Sequence, residues 1–273
     1  MDGEMTGGNS LLADMRRFGS SPEEICRSTL GIDPARICGS VILSPGWRPE
    51  RMFEPSAITE VVQASPLYQY GIWEVSCGDR HITYLKTGFG APAAMDAVLL
   101  LGLAGRCRKI LFVSSTGSIA PEIGVGDIVL PEFAASGDGA VRYLSGSLLR
   151  DPFGERAYPD PGLAAALAAA AEEICGKNGV KWHRARVFCT DTIAAQYGHI
   201  SAIRAMGYDT LDMESAAVLK AARLLGVPAA AILNVSDNSA AGKSLFTPRS
   251  GEEQAYRQFV RREVLPQILA AAI

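Results

Sequence analysis

Short apolar runs recur along this chain, separated by glycine and proline breaks, with stretches of helical periodicity between them. Residues 40–43 are apolar and break at Pro45-Gly46, which predicts a strand feeding a loop. Residues 72–77 and 82–85 flank Gly78-Asp79 and predict a hairpin. Thr87-Gly88-Phe89-Gly90-Ala91-Pro92 predicts a glycine-rich turn opening an apolar helix over 93–104. Residues 109–114 and 127–131 read as buried strands, and residues 163–176 as a helix ended by glycine. A strand over 184–189, a helix over 213–225 closing at Gly226-Val227-Pro228, a buried strand over 229–235 and a final helix over 252–272 complete the pattern. Strands alternating with helices predict an α/β layered fold around a mixed, largely buried sheet. Residues 1–38 read as an N-terminal extension, its first ten residues expected to be mobile and Ser21-Pro22-Glu23-Glu24 a helix start. No linker or repeat divides residues 39–273, which read as one domain.

Composition narrows the function classes. Of the 273 residues 48% are hydrophobic and 20% charged, and the net charge is −3. Nothing in that balance makes a basic footprint for nucleic acid or an anionic membrane. No run approaches the roughly 18 apolar residues that a membrane span needs. The N-terminus lacks the basic-then-apolar pattern of a signal peptide, so the expected compartment is the cytoplasm. Six scattered cysteines without a C-x-x-C pair read as free thiols, and His81, His183 and His199 lack ligand spacing. Neither a metal nor a resident cofactor is expected.

Five segments can carry chemistry. Ser44-Pro45-Gly46-Trp47-Arg48-Pro49-Glu50-Arg51 follows the first core strand, where glycine admits an anion to the backbone and arginine can grip it; read alone it is more simply a surface turn with solvated arginines. The turn containing Gly88 precedes a helix but is neither a Rossmann fingerprint nor a P-loop. Ser114-Ser115-Thr116-Gly117-Ser118 places small hydroxyls at the end of a buried strand, able to bind an oxyanion or to cap their own backbone. Asp212-Met213-Glu214 stands where an apolar helix begins, a place that favours acids for dipole reasons alone. Asp237, in Val235-Ser236-Asp237-Asn238, ends a very apolar strand, where desolvation raises a carboxyl pKa; an Asp-Asn turn is the plainer reading.

In this order the segments resemble the nucleoside phosphorylase/nucleosidase superfamily, over about residue 40 to the C-terminus. The specific match is Asp-Met-Glu-Ser-Ala, an apolar helix, Gly-Val-Pro and Val-Ser-Asp, joined by Thr116-Gly117-Ser118-Ile119 and Val125-Gly126-Asp127-Ile128-Val129. The resemblance implies a three-layer sandwich of the phosphorylase type and cleavage of a nucleoside's N-glycosidic bond. It implies Asp237 as general acid to the leaving base, and Glu214 and Met213 at the ribose. Gly46, Arg51, Gly88 and Ser115 would surround the nucleophile, and Thr190, Asp191 and Ile193 would lie beside the base. Phosphate is the expected co-substrate, and a homo-oligomer of dimers or assembled dimers the expected state.

The match has departures. Phosphorylases of this type carry an arginine on the central strand where Phe112 stands, and the arginine lent by a neighbouring subunit has no counterpart near Tyr68 and Gln69. That leaves Arg48 or Lys86 to compensate. A hydrolytic nucleosidase would need a water-activating glutamate, for which Glu50 or Glu54 is available. The Val-Ser-Asp ending leans towards a purine, and Gly242-Lys243 resembles the AMP nucleosidases. The alternatives to phosphorolysis are therefore hydrolysis, as in methylthioadenosine or AMP nucleosidases, and a non-catalytic nucleoside-binding homologue.

Overall fold

The computed structural model describes residues 8–273. Residues 1–7, within the stretch expected to be mobile, lie outside the described residues; Gly8, Asn9 and Ser10 open helix α1 (Gly8–Arg17). Helix α2 (Pro22–Ile25) starts with a capping box: Ser21 accepts from the Glu24 amide while the Glu24 carboxylate accepts from the Ser21 amide. Within residues 22–38, Ile25, Cys26, Leu30, Ile32 and Ile37 are buried in the main core.

The chain continues through β1 (Ser40–Ser44), β2 (Ile58–Val62), β3 (Gly71–Cys77), β4 (Arg80–Lys86), α3 (Ala91–Leu103) and β5 (Lys109–Ser118). Then come β6 (Ile128–Ser136), β7 (Arg156–Ala157), α4 (Pro161–Asn178), β8 (Trp182–Cys189) and α5 (Ile200–Ala205). Last are β9 (Thr210–Asp212), α6 (Ser215–Leu224), β10 (Ala229–Asn238), α7 (Gly251–Phe259) and α8 (Leu265–Ala272). Helix α4 runs past Gly176 and ends at Gly179, whose φ of 63° supplies the left-handed cap. The final helix is two: a π-helical turn at Val260–Val264 precedes Pro266, which has no N–H to continue a regular ladder.

The strands form one mixed sheet. β5 pairs in parallel with β1 and β10, β1 with β4 in parallel, and β4-β3-β2 is an antiparallel meander. The other half closes on itself: β10 pairs with β6, β6 with β8, β8 with β9, and β9 returns to the end of β5. Five strands thus make a ring, and four extend from it as an open arm.

Alternation along the strands divides the core between the two faces. Val41, Leu43, Ile110, Phe112, Ala231 and Leu233 point to the side covered by α3 and α6. Ile42, Leu111, Val113, Ala230 and Ile232 point to the side covered by α4 and α8. These strands read as unbroken apolar runs because both faces are covered. Helix α3 is apolar nearly all round and lies buried against α6, so closely that a Cβ on Gly102 would stand 2.4 Å from Leu225. On the opposite face Leu163, Leu167, Ala170, Ala171 and Cys175 make the stripe of α4 that meets Leu265, Ile268 and Leu269 of α8. Among the described residues, no helix is long and apolar enough to cross a membrane.

Candidate active site

The parallel strands β1, β4, β5 and β10 end on one edge of the sheet, and the loops leaving them surround a cavity of about 320 Å³. Sites form there because parallel strands all deliver their loops to the same edge. Gly46, Arg51, Ser115, Met213, Glu214 and Asp237 line it, together with Ile193. The sequence segments therefore converge in space.

Asp237 reaches the cavity through an irregularity. β10 runs in register with β5 as far as Val235 opposite Thr116, then slips so that Asp237 faces Gly117. A bulge of this kind re-aims a side chain. Gly117 leaves the room: a Cβ there would stand 3.1 Å from one Asp237 carboxylate oxygen and 3.3 Å from the other. The Asp237 carboxyl is 6% exposed and accepts from the Ser236 hydroxyl. Burial lifts its pKa above the ordinary aspartate range, against the pull of Ser236, Arg249 and Arg257.

Glu214 sits between β9 and α6, 2% exposed. Burial first, and the neighbouring Asp212 carboxylate second, push its pKa to about 8. The Gly90 amide donates to it at 2.7 Å. That bond requires the Gly88–Gly90 turn, since Gly90 has φ of 103° and Gly88 of 83°. Asp212 is spent on structure: it accepts from the Ser215 amide at 3.1 Å, from the Ser215 hydroxyl and from the Cys189 thiol at 2.8 Å.

Three expected site residues stand elsewhere. Gly88 does not line the cavity, because its amide donates to the Pro45 carbonyl at 3.0 Å and its turn serves Glu214 instead. The exposed Asp191 accepts from the Gly139 amide at 3.1 Å, away from the cavity. Thr190 is buried behind the wall; its hydroxyl donates to the Gln196 side-chain oxygen at 3.1 Å, and Gln196 is the residue that lines the cavity.

The loop after β1 is held by Tyr84, whose hydroxyl donates to the Trp47 carbonyl at 2.9 Å. Gly46 is bare because the Phe89 ring covers it; a Cβ would lie 2.6 Å from that ring. Arg48, one candidate for compensating cation, is bound to Glu50 and Glu60 at 3.2 and 3.3 Å and lies over Trp73. Lys86, the other, does not line the cavity, nor does Glu50 or Glu54. Phe112 is fully buried on the α3/α6 face, so a side chain at that position points into the core.

The cations come instead from the C-terminal segment. Arg257 and Arg261 line the cavity beside Arg51, and Arg261 lies over the Trp47 ring. Sequence reasoning missed both, along with Trp47, Phe89 and Leu245. Leu245 belongs to a loop fastened by Arg249, whose guanidinium donates to the carbonyls of Ser236, Ser244 and Thr247. The cavity thus offers a cationic side, two buried carboxyl groups whose pKa values are both raised, and an apolar rim.

A model of the phosphorylase superfamily matches residues 56–264. A uridine phosphorylase of Klebsiella aerogenes is 25% identical over 225 residues, which cover 77% of this chain and 85% of that protein. A purine nucleoside phosphorylase of the DeoD type from Streptococcus pyogenes is 26% identical over 163 residues, 58% of this chain and 64% of that one. Among solved structures, uridine phosphorylase from Vibrio fischeri ES114 superposes with a TM-score of 0.71 over 90% of this chain and 95% of its own, at 20% identity. Purine nucleoside phosphorylase from Toxoplasma gondii, in complex with immucillin-H, gives 0.69 over 88% and 92%, also at 20%.

Proposed function

The chain belongs to the phosphorylase superfamily, and from that premise we propose that it cleaves nucleosides by phosphorolysis, yielding a free base and a pentose 1-phosphate. The observation that carries this reading is the distribution of charge around the cavity. Its carboxylates are Asp212, Glu214 and Asp237, and those of Asp212 are already bonded; the side bearing Gly46 and Trp47 has Arg51, Arg257 and Arg261. A hydrolase needs a base there to activate water. Glu50, the nearest in sequence, is tied to Arg48.

In the reaction, a phosphate oxygen bonds to the anomeric carbon as the glycosidic C–N bond breaks and its electron pair passes to the base. Asp237, whose hold on a proton is strengthened by burial, gives its proton to a ring nitrogen of that base and recovers one from phosphate or solvent. Glu214 exchanges hydrogen bonds with the sugar hydroxyls, with Met213 against the ring. Ile193, Phe89 and Leu245 supply apolar surface to the base and Gln196 an amide. A general acid aimed at a ring nitrogen suits a purine, and purine nucleosides are the first class to assay. Metal and resident cofactor have no role in this reading. It includes assembly with further copies of the chain, for which the exposed Leu148, Leu149 and Phe153 provide apolar surface.

The test is base release from purine and pyrimidine nucleosides and AMP, with and without phosphate, for wild type and Asp237→Asn. Phosphate-dependent release with pentose 1-phosphate formed, lost in the variant, is the expected result. Release that ignores phosphate would make the chain a nucleosidase. No release from any substrate would leave a nucleoside-binding homologue.

A further inference from the structure

Arg257 and Arg261 are one helical turn apart and so project from one face of the C-terminal segment. Both reach the cavity beside Arg51. No salt bridge among the described residues involves any of the three. The Arg261 Nε donates to the Arg257 carbonyl at 3.1 Å, its terminal nitrogens have no hydrogen-bond partner among the described residues, and the Arg257 Nε is buried without a partner. Burial, then the neighbouring arginines, hold both guanidinium pKa values down, that of Arg261 to about 10. Converging unpaired cations repel one another, and an anion between them relieves that repulsion. Arg249 is different, because its donors are used on three carbonyls.

The segment is docked for this purpose by the residue before Arg257. The Tyr256 ring packs on Gly126, where a Cβ would lie 2.4 Å away, and its hydroxyl approaches Asp127 at 3.5 Å. Meanwhile the strand position that would otherwise carry a cation is closed, since Phe112 is 0% exposed within the core.

We propose that Arg257 and Arg261, with Arg51, form the site of an inorganic phosphate-class oxyanion, doing from a helix outside the sheet the work expected of an arginine at Phe112. That this anion is the nucleophile rests on the phosphorolytic reading; the site itself does not. Three guanidinium forks around one tetrahedral dianion more than offset its charge and give several paired N–H···O bonds.

The experiment is calorimetric titration of the full chain with inorganic phosphate, seconded by fluorescence of Trp47, over which Arg261 lies. Wild type is expected to bind, and Arg257→Gln and Arg261→Gln each to weaken binding by roughly tenfold or more. Arg257→Lys and Arg261→Lys should retain more affinity than the glutamine variants, and they serve in place of any glutamine variant that fails to fold. Arg106→Gln, exposed and away from the arginine cluster, should bind as wild type does. Absence of phosphate binding in wild type, unchanged binding in the folded Arg257 and Arg261 variants, or an equal loss in Arg106→Gln would each overturn the site. The KM for phosphate in base release separates the two readings. Phosphate-independent release with arginine-dependent binding keeps the site and sinks phosphorolysis. Phosphate-dependent release with an unchanged KM in both variants sinks the site and keeps phosphorolysis.

Discussion

Replacing Glu214 by glutamine is expected to stabilise the protein, by an amount that grows with pH, while impairing catalysis. The Glu214 carboxyl titrates at about 8 in the folded chain against an ordinary value of 4.5, through burial and then the charge of Asp212. Between those values the folded chain binds more proton than the unfolded chain, so wild-type stability falls as pH rises through the window. Below about 4.5 the penalty is absent, because both states are protonated. At about 1.4 kcal/mol per pH unit the full window corresponds to a ceiling of about 5 kcal/mol. Glutamine keeps an acceptor for the Gly90 amide, now at 2.7 Å, and carries no charge. The variant-minus-wild-type difference should therefore rise from under about 1 kcal/mol at pH 5 to about 3–5 kcal/mol at pH 9. Urea unfolding of both proteins across that range, followed by tryptophan fluorescence, measures it. The raised pKa of Asp237 is common to both proteins and drops out of the difference. A difference that stays flat from pH 5 to pH 9 would refute the argument, since no proton would then be taken up by Glu214 on folding.

Gly117→Ala should lower kcat for base release at least tenfold with little change in Tm, because its Cβ would press on the Asp237 carboxylate at 3.1 Å without touching the core; an unchanged kcat would show that the aim of Asp237 is not critical. Phe112→Arg, which grafts a cation onto the strand, should yield insoluble or unfolded protein, because the side chain enters a closed apolar core. A soluble Phe112→Arg protein with improved phosphate affinity would mean that the strand position does open to the cavity.

The strands at the centre of the sheet are legible in the sequence for a physical reason. β1, β5 and β10 are covered on both faces, so Val41–Leu43, Ile110–Val113 and Ala229–Leu233 are apolar without interruption. The convergence of Gly46, Glu214 and Asp237 is legible only through their order along the chain, because nothing local reports which strand ends are neighbours. The slip that aims Asp237 is invisible beforehand, since Val235, Ser236 and Asp237 alternate as any strand would. β9 has only three residues, too few to show a period. Gly88 is misread for a related reason: glycine signals an unusual backbone, and the beneficiary here is a carboxylate 124 residues away from Gly90 in sequence rather than an anion. Arg257 and Arg261 hide among Glu252, Glu253, Arg262 and Glu263, which together resemble a solvated helix face. Glu253 stands four residues before Arg257, a spacing that predicts an ion pair. It pairs instead with Lys243, and that choice releases Arg257 to the cavity.

Closure of the five-stranded ring also bears on how the molecule behaves in a crowded solution. Where ring strands pair on both sides, as β8 does with β6 and β9 over Val187–Cys189, they offer no template for another chain's backbone. The open rims of the sheet are the two-residue β7 and, at the tip of the arm, β2. β2 is five residues long, slips register between Glu60 and Val62, and carries Glu60 bridged to Arg48. A short, kinked and charged rim is a poor seed for strand addition. Removal of β2 would bare the edge of the seven-residue β3, a longer strand and a better template for strand addition than β2 itself.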